Sequence, residues 1–246
     1  MSRTRLDLAL VERGLMPTRA RARDAIQRGT VGVDGRVERK PAASVGPEAV
    51  LTVDDPAAAW VSRAALKLIG ALDHFGLDPA GRHCLDVGAS TGGFTQVLLA
   101  RGAAAVTAID VGHGQLAAEV AADRRVTSIE GLNARDLAAE HLAQAPDFVV
   151  ADVSFISLAL ALPPALALAA AGAVGVFLVK PQFEVGREAI GRGGLVRDPA
   201  AADAAVERIA DLVAASGWRV LGRAEAAIAG GDGNREFVLA AEKRKS

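Results

Sequence analysis

The sequence predicts an α/β fold: a doubly wound, mostly parallel sheet with helices on both faces, preceded by a small α+β domain. From Ser62 onward, apolar strand-like runs alternate with amphipathic helical segments, the pattern of strands joined by crossover helices. Half of the residues are hydrophobic but few are aromatic, with Ala, Leu and Val dominating, as suits helices packed on a parallel sheet. The 246 residues exceed one typical domain of roughly 100–200 residues, and the first fifty or so differ in character from the rest.

That first segment is basic. Between residues 3 and 40 arginine and lysine outnumber acids about two to one, although the whole chain has a net charge of only −1; a basic head on a near-neutral body points to a polyanionic partner. Leu6, Leu8, Leu10 and Val11, then Ala20, Ala22, Ala25 and Ile26, mark two short helices separated by Gly14-Leu15-Met16-Pro17-Thr18, with Thr18 as N-cap of the second. The second helix carries Arg19, Arg21, Arg23 and Arg28 and ends at Gly29. Val31 to Val37 then reads as two strands around the Asp34-Gly35 turn. Residues 1–53 are therefore expected to form one domain, 54–61 a short linker in which Trp60 is a packing anchor, and 62–246 the second domain.

In the second domain the expected strands are 83–87, 105–110, 126–129, 148–152 and 174–179, closed by a pair at 219–224 and 236–241. The uncharged run 157–179 has the length of a membrane span, but Pro163-Pro164, Gly172 and Gly175 interrupt it and much of it is alanine. Helix, turn and a strand buried on both faces account for it. Cys84 is the single cysteine, so no disulfide framework and no metal site are expected, and with no secretory signal in view the expected location is cytoplasmic, without stable membrane association.

The first strand runs into Asp86-Val87-Gly88-Ala89-Ser90-Thr91-Gly92-Gly93-Phe94, a glycine-rich turn opening a helix. Such a turn brings backbone close to a nucleotide-like ligand, and its details select among ligands. Ala89-Ser90 puts a side chain where a dinucleotide loop needs glycine against pyrophosphate, and no Lys-Ser or Lys-Thr pair follows to form a phosphate loop. A ligand with a ribose and no phosphate fits, with Asp110 at the end of the second strand accepting from the ribose hydroxyls beside Val111. Asn133-Ala134, after the third strand, is a contact for the adenine side, with a helix N-cap as the alternative for Asn133. S-adenosylmethionine has these properties.

Asp152-Val153-Ser154-Phe155 and Lys180-Pro181-Gln182-Phe183-Glu184 follow the fourth and fifth strands. Both charges thus sit at the carboxyl edge of the sheet, where open α/β sheets bind ligands. Together with Lys67 on the first helix and Glu236 on the last strand they resemble the Lys-Asp-Lys-Glu catalytic tetrad of ribose 2′-O-methyltransferases. With Ser62-Arg63, Asp110-Val111-Gly112, Asp152-Val153-Ser154-Phe155-Ile156-Ser157 and Gly233-Asn234-Arg235-Glu236-Phe237, the chain resembles the TlyA family of ribosomal RNA 2′-O-methyltransferases over nearly its whole length. Residues 3–53 resemble the RNA-binding fold of small-subunit ribosomal protein S-four.

The resemblance implies a Rossmann-like methyltransferase sheet, S-adenosylmethionine as cofactor, ribosomal RNA in ribosomal subunits as partner, and methylation of a cytidine ribose. Lys180 is the residue expected to deprotonate or steer the 2′-hydroxyl, with Asp152 and Glu236 holding the two lysines. Cofactor contacts are expected from Asp86, residues 88–94, Asp110, Val111, Asn133, Ala134 and Asp152. RNA contacts are expected from Arg5, Arg19, Arg21, Arg23, Arg28, Arg63, Arg187 and Arg192, the last two on the glycine-rich loop that follows Gly186. Other members carry an arginine shortly before the linker tryptophan; here the linker has Ala57-Ala58-Ala59. A non-catalytic assembly factor and a membrane-active haemolysin are the competing classes. Oligomeric state and target position are not legible.

Overall fold

The computed structural model describes residues 3–245; the chain divides into two units, 1–58 and 59–246. In the first, β1 (Thr4–Arg5) leads into α1 (Leu6–Glu12), followed by α2 (Arg19–Arg28), β2 (Val31–Val33), β3 (Arg36–Val37), β4 (Ser44–Val45) and β5 (Leu51–Val53). Thr18 Oγ1 accepts the Arg21 amide at 3.3 Å to start α2, and Gly29 ends it at φ 80°, a left-handed C-cap that glycine adopts without strain. Asp34 and Gly35 both have positive φ, which gives the two-residue hairpin between β2 and β3 its tight turn. Leu6, Leu10, Met16, Ala22, Ile26, Val31 and Val45 form the unit's core.

The arginines of this unit are largely engaged with partners inside it. Arg5 and Arg19 both bind Asp7, whose side chain is fully buried, at 2.9 and 3.0 Å. Arg28 bridges Asp24 and Asp55 at 2.8 and 2.7 Å, and Arg21 donates to the Ala57 carbonyl at 2.8 Å. The first part of the expected linker is therefore tied to α2, by pairings that span 27 and 36 residues of sequence. Arg23 is exposed.

The second unit contains α3 (Ala65–Phe75), β6 (His83–Val87), α4 (Gly93–Ala100), β7 (Ala105–Asp110), α5 (Ala118–Ala121), β8 (Val126–Glu130), β9 (Phe148–Ala151), α6 (Leu158–Leu168), β10 (Val174–Val179), α7 (Pro181–Glu184), α8 (Pro199–Ala215), β11 (Trp218–Glu225) and β12 (Phe237–Lys243). The seven strands lie in the order β11-β12-β10-β9-β6-β7-β8. Five are mutually parallel, with β12 antiparallel to β10 and β11 antiparallel to β12.

Alternate residues of the central strands feed opposite faces. Cys84, Phe148, Val150, Val176 and Leu178 pack beneath α3 and α4, joined at the margin by half-buried Trp60. Leu85, Val149, Ala151, Phe177 and Val179 pack beneath α6 and α8. Burial on both faces is why these strands read as unbroken apolar runs. The run 157–179 is α6, a turn and β10, and among the described residues no helix is long and apolar enough to cross a membrane. Pro163 and Pro164 lie inside α6, and Lys243 Nζ donates to the carbonyls of Leu166, Ala167 and Ala169 at its end, satisfying acceptors that a helix terminus leaves open.

Several strand limits differ from expectation by one or two residues, and two of them bear on the site. Asp152 and Glu236 were placed on strands, but β9 ends at Ala151 and β12 begins at Phe237. Both carboxylates sit where the ladder stops, on backbone free to turn its side chains toward the sheet edge.

The buried Asp7 carboxylate is held well below the ordinary range, at about 2, chiefly by the Arg5 guanidinium and then by Arg19. It therefore stabilises the first unit above about pH 4, and that contribution is lost as pH falls toward the depressed value. Asp7→Asn should cost about 1.5–3 kcal/mol near neutral pH, read as faster hydrogen exchange across residues 3–53; unchanged exchange would show that the two arginines do not depend on this carboxylate.

Candidate active site

From β6 the chain builds outward through β7 to β8, then crosses to β9 on the other side of β6, so the strand order reverses between β6 and β9. Ligand crevices of open sheets form at such a reversal, and the glycine-rich turn leaves β6 here. Gly88 has φ +85°, and a Cβ at this position would lie 2.7 Å from the Asp152 carbonyl oxygen. The turn can pass the end of β9 only without a side chain. Ser90 also adopts a left-handed conformation at φ 47°; its amide donates to Asp110 Oδ2 at 2.8 Å and its hydroxyl to Gln115 Oε1 at 3.1 Å. Gly92, at φ +94°, caps α4.

A cleft of about 680 Å³ opens beside this turn, lined by Gly88, Ser90, Asp110, Val111, Asn133, Ala134 and Asp152 among others. A smaller cavity of about 130 Å³ is lined by Ala89, Thr91, Gly93, Phe94, Ser62 and Lys180. Gly88, Ser90, Asp152 and Ser154 contribute to both, so the cavity at Lys180 adjoins the large cleft.

The four charges form two pairs. Lys67 Nζ lies 2.5 Å from Glu236 Oε2, with both side chains buried. Lys180 Nζ lies 2.6 Å from Asp152 Oδ1 and donates to Ser154 Oγ at 2.8 Å. Lys67 is on the buried face of α3 beside Leu68 and Ala71. Lys180 follows the last residue of β10, and Pro181 starts α7 directly after it, which keeps Lys180 extended. A buried ammonium without a partner is costly, so each lysine has its own carboxylate.

Other expected contacts take different places. Asp86 is fully buried, with Oδ2 accepting from Thr95 Oγ1 at 2.6 Å. It therefore supports the turn from beneath instead of lining the cleft, because in a strand covered on both faces its side chain has only packed protein to enter. Asp110 accepts from the Ser90 and Gly112 amides, which leaves acceptor capacity on each oxygen toward the cleft. Asn133 caps the short helix Ala134–Asp136 by accepting from the Arg135 amide at 3.1 Å, and it also lines the cleft. The side chains of Arg187 and Arg192 lie outside the described residues.

Sequence reasoning gave no role to Ser154 or Phe155, although both directly follow Asp152-Val153. Phe155 is 93% exposed at the cleft wall, has φ +66°, and packs against Phe183 with ring centroids 5.3 Å apart. A left-handed, solvent-exposed aromatic is strained and gains nothing from burial, a combination concentrated at functional sites.

The sequence pattern of FtsJ-like methyltransferases matches residues 60–243, and that of the S4 domain matches residues 4–51. The chain is 48% identical to the Mycobacterium tuberculosis protein named 16S/23S rRNA (cytidine-2′-O)-methyltransferase TlyA, over 96% of this chain and 89% of that one. The chain belongs to the FtsJ-like methyltransferase family, in its TlyA branch. Hemolysin A of Brachyspira hyodysenteriae is 36% identical over 95% of this chain and 98% of its own. A solved structure of a hemolysin-named protein from Streptococcus thermophilus superposes with a TM-score of 0.78 at 38% identity, covering 100% of this chain and 90% of that one.

Burial raises the Asp86 carboxyl to about 7, aided by the nearby charges of Asp152 and Asp110 and opposed by hydrogen bonds from Thr95. An unfolded aspartate loses its proton near pH 4. Folding therefore takes up a proton between these values, and the stability due to this group falls as pH rises through that window. Tm should drop more between about pH 5 and pH 8 in the wild type than in Asp86→Asn; equal drops would remove Asp86 as the source.

Proposed function

We propose that this chain transfers a methyl group from S-adenosylmethionine to the ribose 2′-hydroxyl of a cytidine in ribosomal RNA, acting on ribosomal subunits. The observation that carries the reading is the Lys180–Asp152 pair where a small cavity adjoins a cleft whose donors and acceptors suit a ribose and no phosphate, with a second, enclosed pair, Lys67–Glu236, in the same unit. The relative at 48% identity is named for this reaction.

The cleft fits such a cofactor. Its volume lies within the range of about 300–1,000 Å³ usual for small-molecule sites, and its wall carries the Asp110 carboxylate, which would repel a phosphate and accept from ribose hydroxyls. Gly88, Ala89, Ser90 and Thr91 would hold the cofactor's chain-like half by backbone approach, and Val111, Asn133 and Ala134 the adenine. Gly92, Gly93 and Phe94 shape the turn and Asp86 braces it. When bound, the cofactor supplies an electrophilic methyl group on a sulfonium.

The protein's own residues prepare the nucleophile. A ribose hydroxyl is a poor nucleophile near neutrality, so alignment and proton removal are both needed. Lys180 Nζ, fixed by Asp152 Oδ1 and Ser154 Oγ, takes or steers the 2′ proton. The Lys67–Glu236 pair completes the charge pattern behind it. Exposed Phe155 offers a stacking surface for an unpaired base.

On this reading residues 1–53 bind structured RNA, 54–61 join the units and 62–246 catalyse. The Arg5–Asp7–Arg19 group keeps a net positive charge, and its guanidiniums remain about half exposed. With exposed Arg23 and half-buried Arg21 it offers donors to phosphates, whereas Arg28, paired with both Asp24 and Asp55, holds α2 to the start of the linker. Arg63, Arg187 and Arg192 would meet RNA nearer the catalytic edge. The chain's work on ribosomal subunits places it in the cytoplasm.

With radiolabelled S-adenosylmethionine and separated small and large subunits, the wild type should label RNA and Lys180→Ala should not. Lys180→Arg keeps the charge but cannot readily give up its proton, so its turnover should fall by about 10²–10⁴. Near-normal turnover in Lys180→Arg would leave Lys180 only an orienting donor, and no label on either subunit despite cofactor binding would overturn the proposed reaction.

A further inference from the structure

We propose that Asn234 is a positioning residue for methyl transfer: it pins the glycine-rich loop 191–196 to the turn 230–236 and so keeps Glu236 in register with Lys67. The inference rests on reading the two lysine–carboxylate pairs as a methyl-transfer centre.

Asn234 is 2% exposed, and its carboxamide is fully used. Oδ1 accepts the Val196 amide at 2.9 Å; Nδ2 donates to the Gly194 carbonyl at 2.9 Å and to Asp232 Oδ2 at 2.7 Å. The Val196 amide can only donate and the Gly194 carbonyl can only accept, so the orientation of the carboxamide is determined. No other residue type of this size offers one acceptor and two donors. The turn is closed in its turn by the Gly230 amide on the Asn234 carbonyl at 2.8 Å and the Asn234 amide on Asp232 Oδ1 at 3.0 Å.

Both sides of this clasp lead to the site. Glu236 is two residues beyond Asn234, and a Cβ on Gly230 would lie 2.6 Å from Glu236 Oε1, so the turn is packed directly against that carboxylate. Gln182, two residues beyond Lys180, donates to Asp232 Oδ2 at 3.3 Å, and its buried Oε1 has no partner among the described residues. The loop is itself closed by the Gly191 amide on the Leu195 carbonyl at 2.9 Å. Displacing the loop therefore releases the turn, and a shift of about an ångström in a catalytic group can cost up to a hundredfold in rate.

Asn234→Ala deletes the clasp. Asn234→Asp keeps the acceptor for Val196 but sets an oxygen against the Gly194 carbonyl and the Asp232 carboxylate. The exchange Asp232→Asn with Asn234→Asp restores a donor–acceptor pair between the two positions, with Gln182 turning its amide over to accept from the new one, but leaves the Gly194 carbonyl without its donor; it repairs the turn beside Glu236 and only part of the clasp. The measurements are kcat and KM for methyl transfer to subunits, calorimetric Kd for S-adenosylmethionine, Tm, and hydrogen exchange over residues 186–197 and 230–236.

Both single variants should lose about tenfold or more in kcat with cofactor Kd within about twofold, and the exchange should recover several-fold over Asn234→Asp. Unchanged kcat overturns the proposal, as does a loss that follows cofactor affinity and Tm with no recovery in the exchange. Hydrogen exchange decides the clasp even where a wild type without methyl transfer defeats the functional reading. Faster exchange in both segments of Asn234→Ala supports the coupling; faster exchange in 186–197 alone overturns it. If Asn234→Ala does not fold, Asn234→Asp and the exchange carry the test.

Discussion

Two ammonium groups buried at the carboxyl edge of one sheet must each be neutralised, and this requirement organises the second unit. Lys67 comes from α3 on one face, Lys180 from the end of β10 at the centre, and their carboxylates from the end of β9 and the start of β12. Removing one member of such a pair strands a buried charge, a cost of about 3–5 kcal/mol. The helix, the parallel strands and the antiparallel closing strand are thus held to a common geometry by charge as well as by apolar packing. The two pairs also differ in access: Lys180 lines the smaller cavity, whereas Lys67 and Glu236 are enclosed.

The glycine turn meets the same edge under a steric constraint. Gly88 lies so close to the Asp152 carbonyl that a single methyl group would separate the turn from β9. The cleft for the cofactor and the residue that holds Lys180 are therefore adjacent by backbone contact. Asp86, which burial keeps largely protonated below neutral pH and partly so at it, braces this junction without adding another full charge to a place that already has Asp110 and Asp152. Here the stability of the scaffold and the polarity of the site are set by the same few residues.

Most of the sheet was legible because strands such as Val174–Val179, buried on both faces, leave unbroken apolar runs between turn residues. Asp152 and Lys180 stood out because each follows such a run, whereas Lys67 and Glu236 entered only through the resemblance to the Lys-Asp-Lys-Glu tetrad. What was not legible depends on the third dimension. The apolar alternation around Asp86 does not say whether its carboxylate enters the cleft or the packed layer. The pairings of Arg28 with Asp55 and of Asn234 with Val196 join residues 27 and 38 positions apart, so the sequence names neither the carboxylates that hold the arginines nor a task for Asn234. Nor does composition foretell that Phe155 takes a left-handed backbone and stands in solvent.

The central claim is that these paired charges act on a ribose hydroxyl and not on a base. The most direct measurement is alkaline digestion of subunit RNA labelled by the enzyme, because a 2′-O-methyl group blocks cleavage of the adjoining phosphodiester. The account predicts label in alkali-resistant dinucleotides whose methylated residue is cytidine. Label recovered wholly in mononucleotides would place the methyl group on a base and contradict it.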